Sequence, residues 1–380
     1  MINPILLERT KQLPSIVQPL LHWYHSHARV LPWREEPTPY RVWISEIMLQ
    51  QTRVETVKPY FERLIIALPT VQSLAAVSLD VLFKLWEGLG YYNRARNLKK
   101  AAEKIVADYA GTIPCDFATL LTLPGIGRYT AGAISSIACN ERQPAVDGNV
   151  LRVIMRLIAS PIDIRKESTK RSIEGELLKF MPANKDAGFF NQALMELGAT
   201  ICLPKGAAHC TDCPLRTLCL AYDESHVTEL PFKSNSTPRT VEKHTILVIT
   251  RGNQLAINQR SSKGLLAGLW ELPNIDGHLT PFQLSAVLAQ KGLQPVSIKE
   301  LSPAKHVFSH IEWQMIGYSI HLSETIIREN PLPYTTQKHV EPLSPLFWVT
   351  AAELNSVYSV PTAFKHYLSM FLQKQSDFLT

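Results

Sequence analysis

The chain has 380 residues, more than one ordinary hydrophobic core holds, and its 46% hydrophobic and 19% charged residues are typical of globular proteins. A formal net charge of +6 permits a polyanionic partner without requiring one. The first residues, MINPILLERTKQLPS, lack the basic start and long apolar run of a signal peptide, and no uninterrupted apolar segment is long enough to span a membrane. We therefore expect an intracellular protein of two or three domains that does not enter a membrane.

Residues 1–225 are predicted to be mostly helical, because apolar residues recur at helical spacing between proline and glycine breaks. The clearest helical segments are 42–65, 73–86, 94–109 and 170–180. Basic residues are dense over 84–104, where Trp86, Tyr91 and Tyr92 lie among them. Such a segment is either a solvated helix face or part of a surface that binds a polyanion.

Two carboxylates stand out in this region. Glu46 lies in WISEIMLQQ, on a helix whose other residues belong to the core, so it is either poorly solvated surface or a carboxyl group whose pKa burial raises. Asp147 lies in AVDGNVLRV, ahead of an amphipathic helix, where it can act as an N-cap. A buried carboxylic acid and a second carboxylate are the pair required for cleaving a glycosidic bond.

Between these carboxylates, TLLTLPGIGRYTAGAIS predicts two short helices joined by a tight glycine turn, at about 118–138. Gly125 and Gly127 let the backbone approach a ligand closely, and the second helix begins near Arg128 with unsatisfied amide hydrogens. A phosphate at that position would be bound by those amides and favoured by the helix dipole. An ordinary helix–helix turn is the alternative.

Four of the six cysteines lie close together, in ICLPKGAAHCTDCPLRTLC. Thiolates at this density indicate a metal site, with zinc or an iron–sulfur cluster as candidates; a single tight pair with looser flanking ligands favours the cluster. The four are Cys202, Cys210, Cys213 and Cys219. Cys115 and Cys139 lie in apolar surroundings and are predicted to be buried and unpaired, because disulfides are rare without a secretory signal.

After a polar, proline-containing segment at 226–242, the pattern changes. HTILVIT, QLAINQR, WQMIGYSIHL and PLFWVT are short β-branched or alternating runs, and helices are predicted around 281–291 and 361–373. We predict a linker at 226–242 and a second domain of α+β type at 243–375.

The hairpin LPGIG, the aspartate in VDGNV and the four downstream cysteines resemble the helix–hairpin–helix base-excision DNA glycosylases. PWR, SEIMLQQTRVETV, GLGYYNRARNL and NQALMELGATIC are similar to one branch, the MutY-type adenine DNA glycosylases, and GLLAGLWELP and HVFSHIEW to its appended Nudix-like domain. The resemblance covers about residues 20–370. It implies an all-α glycosylase region with an iron–sulfur cluster over 1–225 and a Nudix-like domain over 243–375.

The resemblance also implies an activity: removal of adenine mispaired with 8-oxoguanine or guanine in duplex DNA, leaving an abasic site. Glu46 matches the general acid that protonates adenine at N7 and guides the incoming water. Asp147 matches the carboxylate that stabilises the cationic sugar, Asn149 the residue that places this aspartate and the nucleophile, and Tyr129 a tyrosine near the sugar. A monomer is expected, in the cytoplasm or at the nucleoid if the source is bacterial.

Three further groups follow from the same resemblance. Residues of the adenine pocket are Trp33, Arg34 and Gln192. Residues that wedge into the opened duplex and touch the oxidised guanine are Gln51, Thr52, Leu89 and Tyr91. Residues of the C-terminal loop that reads 8-oxoguanine are Phe308, Ser309 and His310. Plain core packing is the alternative for Trp33, Leu89 and Tyr91.

The four clustered cysteines match the family's 4Fe–4S ligands, with one departure. Seven residues separate Cys202 from Cys210, where the family has six, and Gly206 could let the loop bulge. This departure places the basic loop that the family uses to contact DNA in question.

Three other functions compete. A Nudix hydrolase is not expected, because residues 250–320 hold four scattered acidic residues and no REXXEEXG cluster for magnesium. An endonuclease III-type glycosylase/lyase would carry its Schiff-base lysine where this chain has Tyr129, and no lysine lies between 105 and 165. A DNA- or protein-binding factor without catalysis would not need both Glu46 and Asp147.

Overall fold

The computed structural model describes residues 9–204, 208–235, 238–323 and 345–377, with side chains up to residue 373 in the last segment. The chain forms two compact units. The first comprises the described residues of 1–77 and 93–235, and the second those of 78–92 and 236–380. Within the described residues, none of the helices is long and apolar enough to span a bilayer.

The first unit is helical, and the second combines helices with a sheet. In chain order the helices are α1 (Val17–His27), α2 (Pro32–Glu35), α3 (Pro39–Leu49), α4 (Val54–Ala67), α5 (Val71–Ala76), α6 (Leu79–Trp86), α7 (Asn93–Tyr109), α8 (Phe117–Leu120), α9 (Arg128–Ala133), α10 (Gly148–Leu157), α11 (Glu167–Phe180), α12 (Lys185–Thr200), α13 (Leu220–Asp223), α14 (Pro281–Gln290), α15 (Ala351–Ser356) and α16 (Lys365–Asp377). Short 3₁₀ turns lie at Leu13–Ile16, Cys210–Asp212, Arg216–Leu218 and Thr362–Phe364.

Two of the predicted helical segments are each interrupted. The 42–65 segment is two helices, α3 and α4, because the chain leaves helical geometry at Gln50 and Gln51. The Arg94 guanidinium stabilises this break by donating to the carbonyls of Ile47, Met48 and Gln50 at 2.6–2.9 Å. The 73–86 segment is divided at Ser78, whose hydroxyl caps α6 by accepting from the Val81 amide at 3.3 Å. Both breaks are stabilised by polar contacts that periodicity does not reveal.

The glycine turn joins two short helices, as the sequence predicts. Helix α8 precedes it, helix α9 follows it, and a π-helical turn at Ile134–Ala138 continues α9. Gly125 has φ +77°, and a Cβ at this position would lie 2.6 Å from the Cβ of Asn97. Only glycine fits this turn without strain.

The prediction for the two separate cysteines is wrong. Cys115 is exposed, Cys139 is half-buried, and a disulfide joins them with a Cα–Cα distance of 5.8 Å. Their apolar neighbours in sequence suggested burial, but the fold brings the loop before α8 to the end of the π-helical turn. Sequence spacing does not reveal this proximity.

Helix α10 is the centre of the first unit. Its residues from Val150 to Leu157 are all buried, so the rest of the unit surrounds the helix. The sequence had suggested an amphipathic helix with one solvated face. Apolar side chains of α1, α11 and α12 pack around it, and Cys202, Cys213 and Cys219 contact the same core. The helix therefore connects its N-cap, Asp147, to the cysteine loop.

Among its described residues, the second unit forms a mixed seven-stranded sheet with helices on both faces. The strands are β1 (Thr240–Arg251), β2 (Gln254–Gln259), β3 (Trp270–Glu271), β4 (Asn274–Asp276), β5 (Pro295–Val307), β6 (Ile311–Leu322) and β7 (Phe347–Thr350). The central order is β3-β2-β1-β6-β5, with β4 paired to β1 and β7 to β2. The β1–β6 pair is parallel and the other pairs are antiparallel. The predicted fold class, an all-α region followed by an α+β domain, is confirmed.

Both faces of β1 are buried, which explains its continuous apolar run. Ile246 and Val248 face the core that includes Phe364 and Tyr367, whereas Leu247 and Ile249 face the core of α14. The strand begins at Thr240, within the segment that the sequence suggested as a linker. Its first residues pair with Ile311 and its neighbours on β6, and this long-range pairing extends the strand.

Candidate active site

A cavity of about 730 Å³ opens in the first unit. It brings together residues from six separate segments of the chain. The predicted site residues that line it are Trp33, Arg34, Glu46, Gln51, Thr52, Gly125, Gly127, Tyr129, Asp147, Asn149 and Gln192. The size suits a nucleobase with its sugar.

Glu46 projects from α3 into this cavity and is only 5% exposed. The hydroxyl of Tyr129 donates a short hydrogen bond to its Oε2 atom. Burial raises the pKa of Glu46 to about 7; the Tyr129 hydrogen bond and the Arg34 charge oppose this rise, and the charge of Asp147 adds to it. A carboxyl group with this pKa carries a proton in a large fraction of molecules at neutral pH.

Asp147 is the N-cap of α10. Its Oδ1 accepts from the amides of Asn149 and Val150 at 2.9 and 2.8 Å, and its Oδ2 accepts from the Asn149 side-chain amide at 2.8 Å. Desolvation raises the pKa of Asp147, while these three hydrogen bonds stabilise the carboxylate and oppose the rise. The residue is thus both a helix cap and a carboxylate facing the cavity, two roles that the sequence left as alternatives.

A buried arginine fixes the orientation of Asn149. Arg152 donates to the Asn149 Oδ1 at 2.9 Å, so the amide nitrogen of Asn149 is directed to Asp147. The same guanidinium donates to the carbonyls of Gly198 and Cys202, both at 2.7 Å. Arg152 was not predicted from the sequence; its position three residues after Asn149 on a buried helix was the available signal.

The adenine-pocket residues are held by a second buried charge. Glu196, 1% exposed, accepts from Arg34 at 2.8 Å and from Arg29 at 2.6 Å. The Tyr24 hydroxyl donates to the Gln192 side-chain oxygen at 3.1 Å, and Arg34 lies 5.5 Å from the centre of the Tyr24 ring. Glu196, which follows Gln192 by one helical turn on α12, was also not predicted from the sequence.

Trp33 is buried, and its ring packs edge-on against Phe61 at 5.4 Å. It also lines the cavity, so core packing and the predicted contact with a base coexist at this residue. Gln51 has a φ of +58° and an exposed side chain, so this side chain lies away from the core. The hydroxyl of Thr52 accepts from Arg94 at 3.2 Å.

The remaining predicted DNA-contact residues belong to the second unit. Leu89 is 6% exposed and is core, whereas Tyr91 is 47% exposed. Between β5 and β6, Phe308 packs against Trp313 at 5.0 Å, and the Ser309 hydroxyl donates to the Tyr91 hydroxyl at 3.4 Å. His310 is exposed. Tyr91 and the Phe308–His310 loop therefore form one surface.

The four clustered cysteines line a single small cavity, and each is half-buried. Arg156 donates to the Cys202 sulfur at 3.2 Å and to the Leu203 carbonyl at 2.8 Å. Among the described residues, no three His, Cys, Asp or Glu side chains are arranged around one metal ion. Four sulfurs around one cavity, with a cation beside them, are a donor set that would suit an anionic iron–sulfur cluster. Gly206 lies outside the described residues.

The chain matches two protein families along its length. Residues 44–180 match the HhH-GPD superfamily base excision DNA repair proteins, and residues 244–370 match the NUDIX domain.

Curated relatives extend this match over most of the chain. An adenine DNA glycosylase of Buchnera aphidicola subsp. Schizaphis graminum is 37% identical over 80% of this chain and 87% of its own length. The human adenine DNA glycosylase is 33% identical over 94% of this chain and 74% of its own length.

Among solved structures, a thermostable thymine-DNA glycosylase superposes with a TM-score of 0.51 at 26% identity. It covers 57% of this chain and 98% of its own length.

Proposed function

The chain belongs to the HhH-GPD superfamily of base-excision DNA repair proteins, in its adenine DNA glycosylase branch with an appended Nudix-like domain, and we propose that it removes adenine opposite 8-oxoguanine or guanine. As a member of this branch it is a hydrolase of N-glycosyl bonds in DNA. The mispair, the residue roles and the outcome for the DNA strand are the proposal. One observation carries it: Glu46, with a raised pKa, and Asp147 face the same cavity.

Glu46 acts as the general acid. Its buried carboxyl group holds a proton at neutral pH and delivers it to N7 of the extruded adenine, which makes the base a neutral leaving group. As the N-glycosidic bond lengthens, positive charge develops on the sugar. Asp147 stabilises that charge, and the carboxylate left on Glu46 then guides the attacking water.

Asn149 positions Asp147 through the hydrogen bond between their side chains. Arg152 is a positioning residue for Asn149, because it occupies the amide oxygen and leaves the nitrogen to donate. Tyr129 lies against Glu46, where its hydroxyl both orients the carboxyl group and moderates its pKa.

Trp33, Arg34 and Gln192 form the pocket for the adenine. Glu196 neutralises and orients Arg34, so this guanidinium is held at the cavity wall before the base arrives. The Tyr24–Gln192 bond fixes the orientation of the Gln192 amide, whose nitrogen donates one hydrogen to the Gly188 carbonyl at 3.4 Å and keeps a second hydrogen for the base.

Gly125 and Gly127 hold a DNA phosphate, and Gln51, Thr52 and Tyr91 contact the opened duplex, while Leu89 supports Tyr91 from the core. Extruding a base costs a few kcal/mol, so side chains must fill the vacated space. The loop of Phe308, Ser309 and His310 reads the 8-oxoguanine, supported by the Ser309–Tyr91 hydrogen bond. The partner is double-stranded DNA, bound by a monomer inside the cell.

Cys202, Cys210, Cys213 and Cys219 hold a 4Fe–4S cluster, which their shared cavity and the adjacent Arg156 support. When bound, the cluster supplies a covalent cross-link for the loop from 202 to 219. That loop is attached to α10 through Arg152 and Arg156, so the cluster stabilises the helix whose cap is Asp147.

The enzyme leaves the DNA strand intact after removing the base. Tyr129 occupies the position of the lyase lysine and offers a phenol, which forms no Schiff base. Lys170 is a lysine at the cavity wall, and its Nζ lies 3.4 Å from the Glu167 carboxylate. A Lys170→Ala variant should therefore leave the strand as intact as the wild type does.

A Glu46→Gln variant tests the proposal, because glutamine keeps the shape but has no transferable proton. We expect DNA binding to remain within about threefold, while excision falls by about 100-fold or more, as is typical for the loss of a general acid. Unchanged excision would refute the assignment. Loss of binding with the fold intact would favour a DNA-binding factor.

A further inference from the structure

The two hairpin helices are enclosed by the Cys115–Cys139 disulfide. Cys115 immediately precedes Asp116, the N-cap of α8, and Cys139 is the C-cap of the π-helical turn that continues α9. The bridge spans 24 positions, which include both helices, the glycine turn and Tyr129.

The hairpin is attached unequally to the rest of the unit. The second hairpin helix packs against α3, and its π-helical extension packs against α3 and α12. Helix α8 is a single turn, and it packs against α9, where the Arg128 guanidinium lies 5.2 Å from the centre of the Phe117 ring. A single helical turn is not stable by itself, so a covalent bond beside its N-cap contributes much to its order.

We propose that Cys115 and Cys139 are a reversible thiol-oxidation site that controls how tightly the hairpin binds DNA. The inference rests on the proposed contact between the hairpin and a DNA phosphate. In the oxidised form the turn is already ordered before DNA arrives. In the reduced form, part of the binding free energy is used to order α8 and the turn.

The oxidant is a peroxide and the reductant a dithiol. The exposed Cys115 thiolate attacks hydrogen peroxide, so an S–O bond forms, the O–O bond breaks and hydroxide leaves. The Cys139 thiolate then attacks that sulfur, the S–S bond forms and a second hydroxide leaves. Overall, two thiols lose two electrons and two protons, and hydrogen peroxide becomes two molecules of water. A dithiol reverses the step by two thiol–disulfide exchanges and is itself oxidised to a cyclic disulfide.

Peptide mapping of the full-length protein tests the modification without any variant. Trypsin cuts after Lys104, Arg128 and Arg142, so the two cysteines fall in separate peptides, 105–128 and 129–142. After peroxide we expect these peptides to be linked, and after a dithiol we expect both thiols to react with an alkylating agent. If both cysteines remain open to alkylation after peroxide, the inference is wrong.

Fluorescence anisotropy tests the consequence, with a duplex whose target adenosine carries a 2′-fluorine that slows excision. The oxidised protein should bind with a Kd at least about fivefold lower than that of the reduced protein. Ordering a single residue upon binding costs enough conformational entropy to change the equilibrium constant by about that factor. The matched control is the Cys115→Ser, Cys139→Ser double variant, which retains the four clustered cysteines. It should bind like the reduced protein in both states.

An equal redox response in the double variant would overturn the inference, since the effect would then come from the other cysteines. An equal Kd for the oxidised and reduced wild-type protein would overturn it as well. Failure of the proposed adenine excision is a separate result: a redox-dependent Kd would still support this inference if no adenine were released.

Discussion

The hydroxyl of Tyr129 donates a hydrogen bond to the carboxylate of Glu46, although 83 residues separate the two in sequence. Tyr129 follows the hairpin turn, and Glu46 lies on α3, so this bond joins the proposed phosphate-binding element to the proposed general acid. It also acts on the pKa of Glu46, which burial raises and this bond lowers.

The pH dependence of excision should therefore depend on Tyr129. With a Glu46 pKa of about 7, the single-turnover rate constant is at its maximum below that pH and decreases above it, because Glu46 loses its proton. A Tyr129→Phe variant loses a bond that stabilises the carboxylate, so its decreasing limb should move to higher pH. The matched control is Tyr40→Phe, which removes a buried hydroxyl bonded to the Leu68 carbonyl and lying away from the cavity. An unmoved limb in Tyr129→Phe would contradict the interpretation.

Glu46 should also reduce the stability of the folded protein at neutral pH. In the native state it stays neutral up to about pH 7, whereas in the unfolded chain it ionises near 4.5. The contribution of Glu46 to the free energy of unfolding is therefore greatest below pH 4.5 and is lost as the pH rises to about 7. The difference corresponds to about 3 kcal/mol. In urea denaturation, the free energy of unfolding of Glu46→Gln relative to that of the wild type should increase by about that amount between pH 4.5 and pH 8. Parallel stability curves would contradict the raised pKa.

Arg152 should influence catalysis through Asn149. A lysine at position 152 cannot donate hydrogen bonds to Asn149, Gly198 and Cys202 at the same time. For Arg152→Lys we therefore expect the single-turnover rate constant to fall about 10- to 100-fold, with DNA binding nearly unchanged. Arg156→Lys is the control, because Arg156 contacts the cysteine loop without touching Asn149. Equal losses in both variants would assign the effect to the cysteine loop.

The Ser309–Tyr91 hydrogen bond should contribute to the preference for 8-oxoguanine over guanine. We expect Ser309→Ala and Tyr91→Phe each to lower the ratio of excision rates on the two mispairs by several-fold. If the two hydroxyls act as a pair, the double variant should lose little more than either single variant. Additive losses would show that they act independently.

The sequence predicted those parts of the site that short motifs encode. Glu46 and Asp147 were identified from local patterns and Tyr129 from the family resemblance, and all three line one cavity. Arg152 and Glu196 were missed because a charged residue on a helix usually faces solvent, and only the tertiary fold shows that both are buried. The break between α3 and α4 is stabilised by Arg94, more than 40 residues away, and helical periodicity contains no such information.

The disulfide was missed for a related reason. Reduced cysteines were predicted because disulfides are rare in intracellular proteins, whereas the proximity of Cys115 and Cys139 arises from the hairpin geometry. Likewise, residues 78–92 lie in the helical part of the sequence but belong to the second unit, through contacts such as those of Lys84 with the carbonyls of Leu354 and Tyr358.

Adenine excision and the state of the DNA strand are measured together on duplexes with adenine opposite 8-oxoguanine, guanine or thymine. Each is incubated with the protein and then analysed for strand breaks with and without alkali. We predict breaks that need alkali, fastest for the 8-oxoguanine pair, slower for guanine and much slower for thymine. Breaks of equal yield without alkali would contradict the monofunctional mechanism, and the absence of abasic product from every duplex would contradict the proposed activity itself.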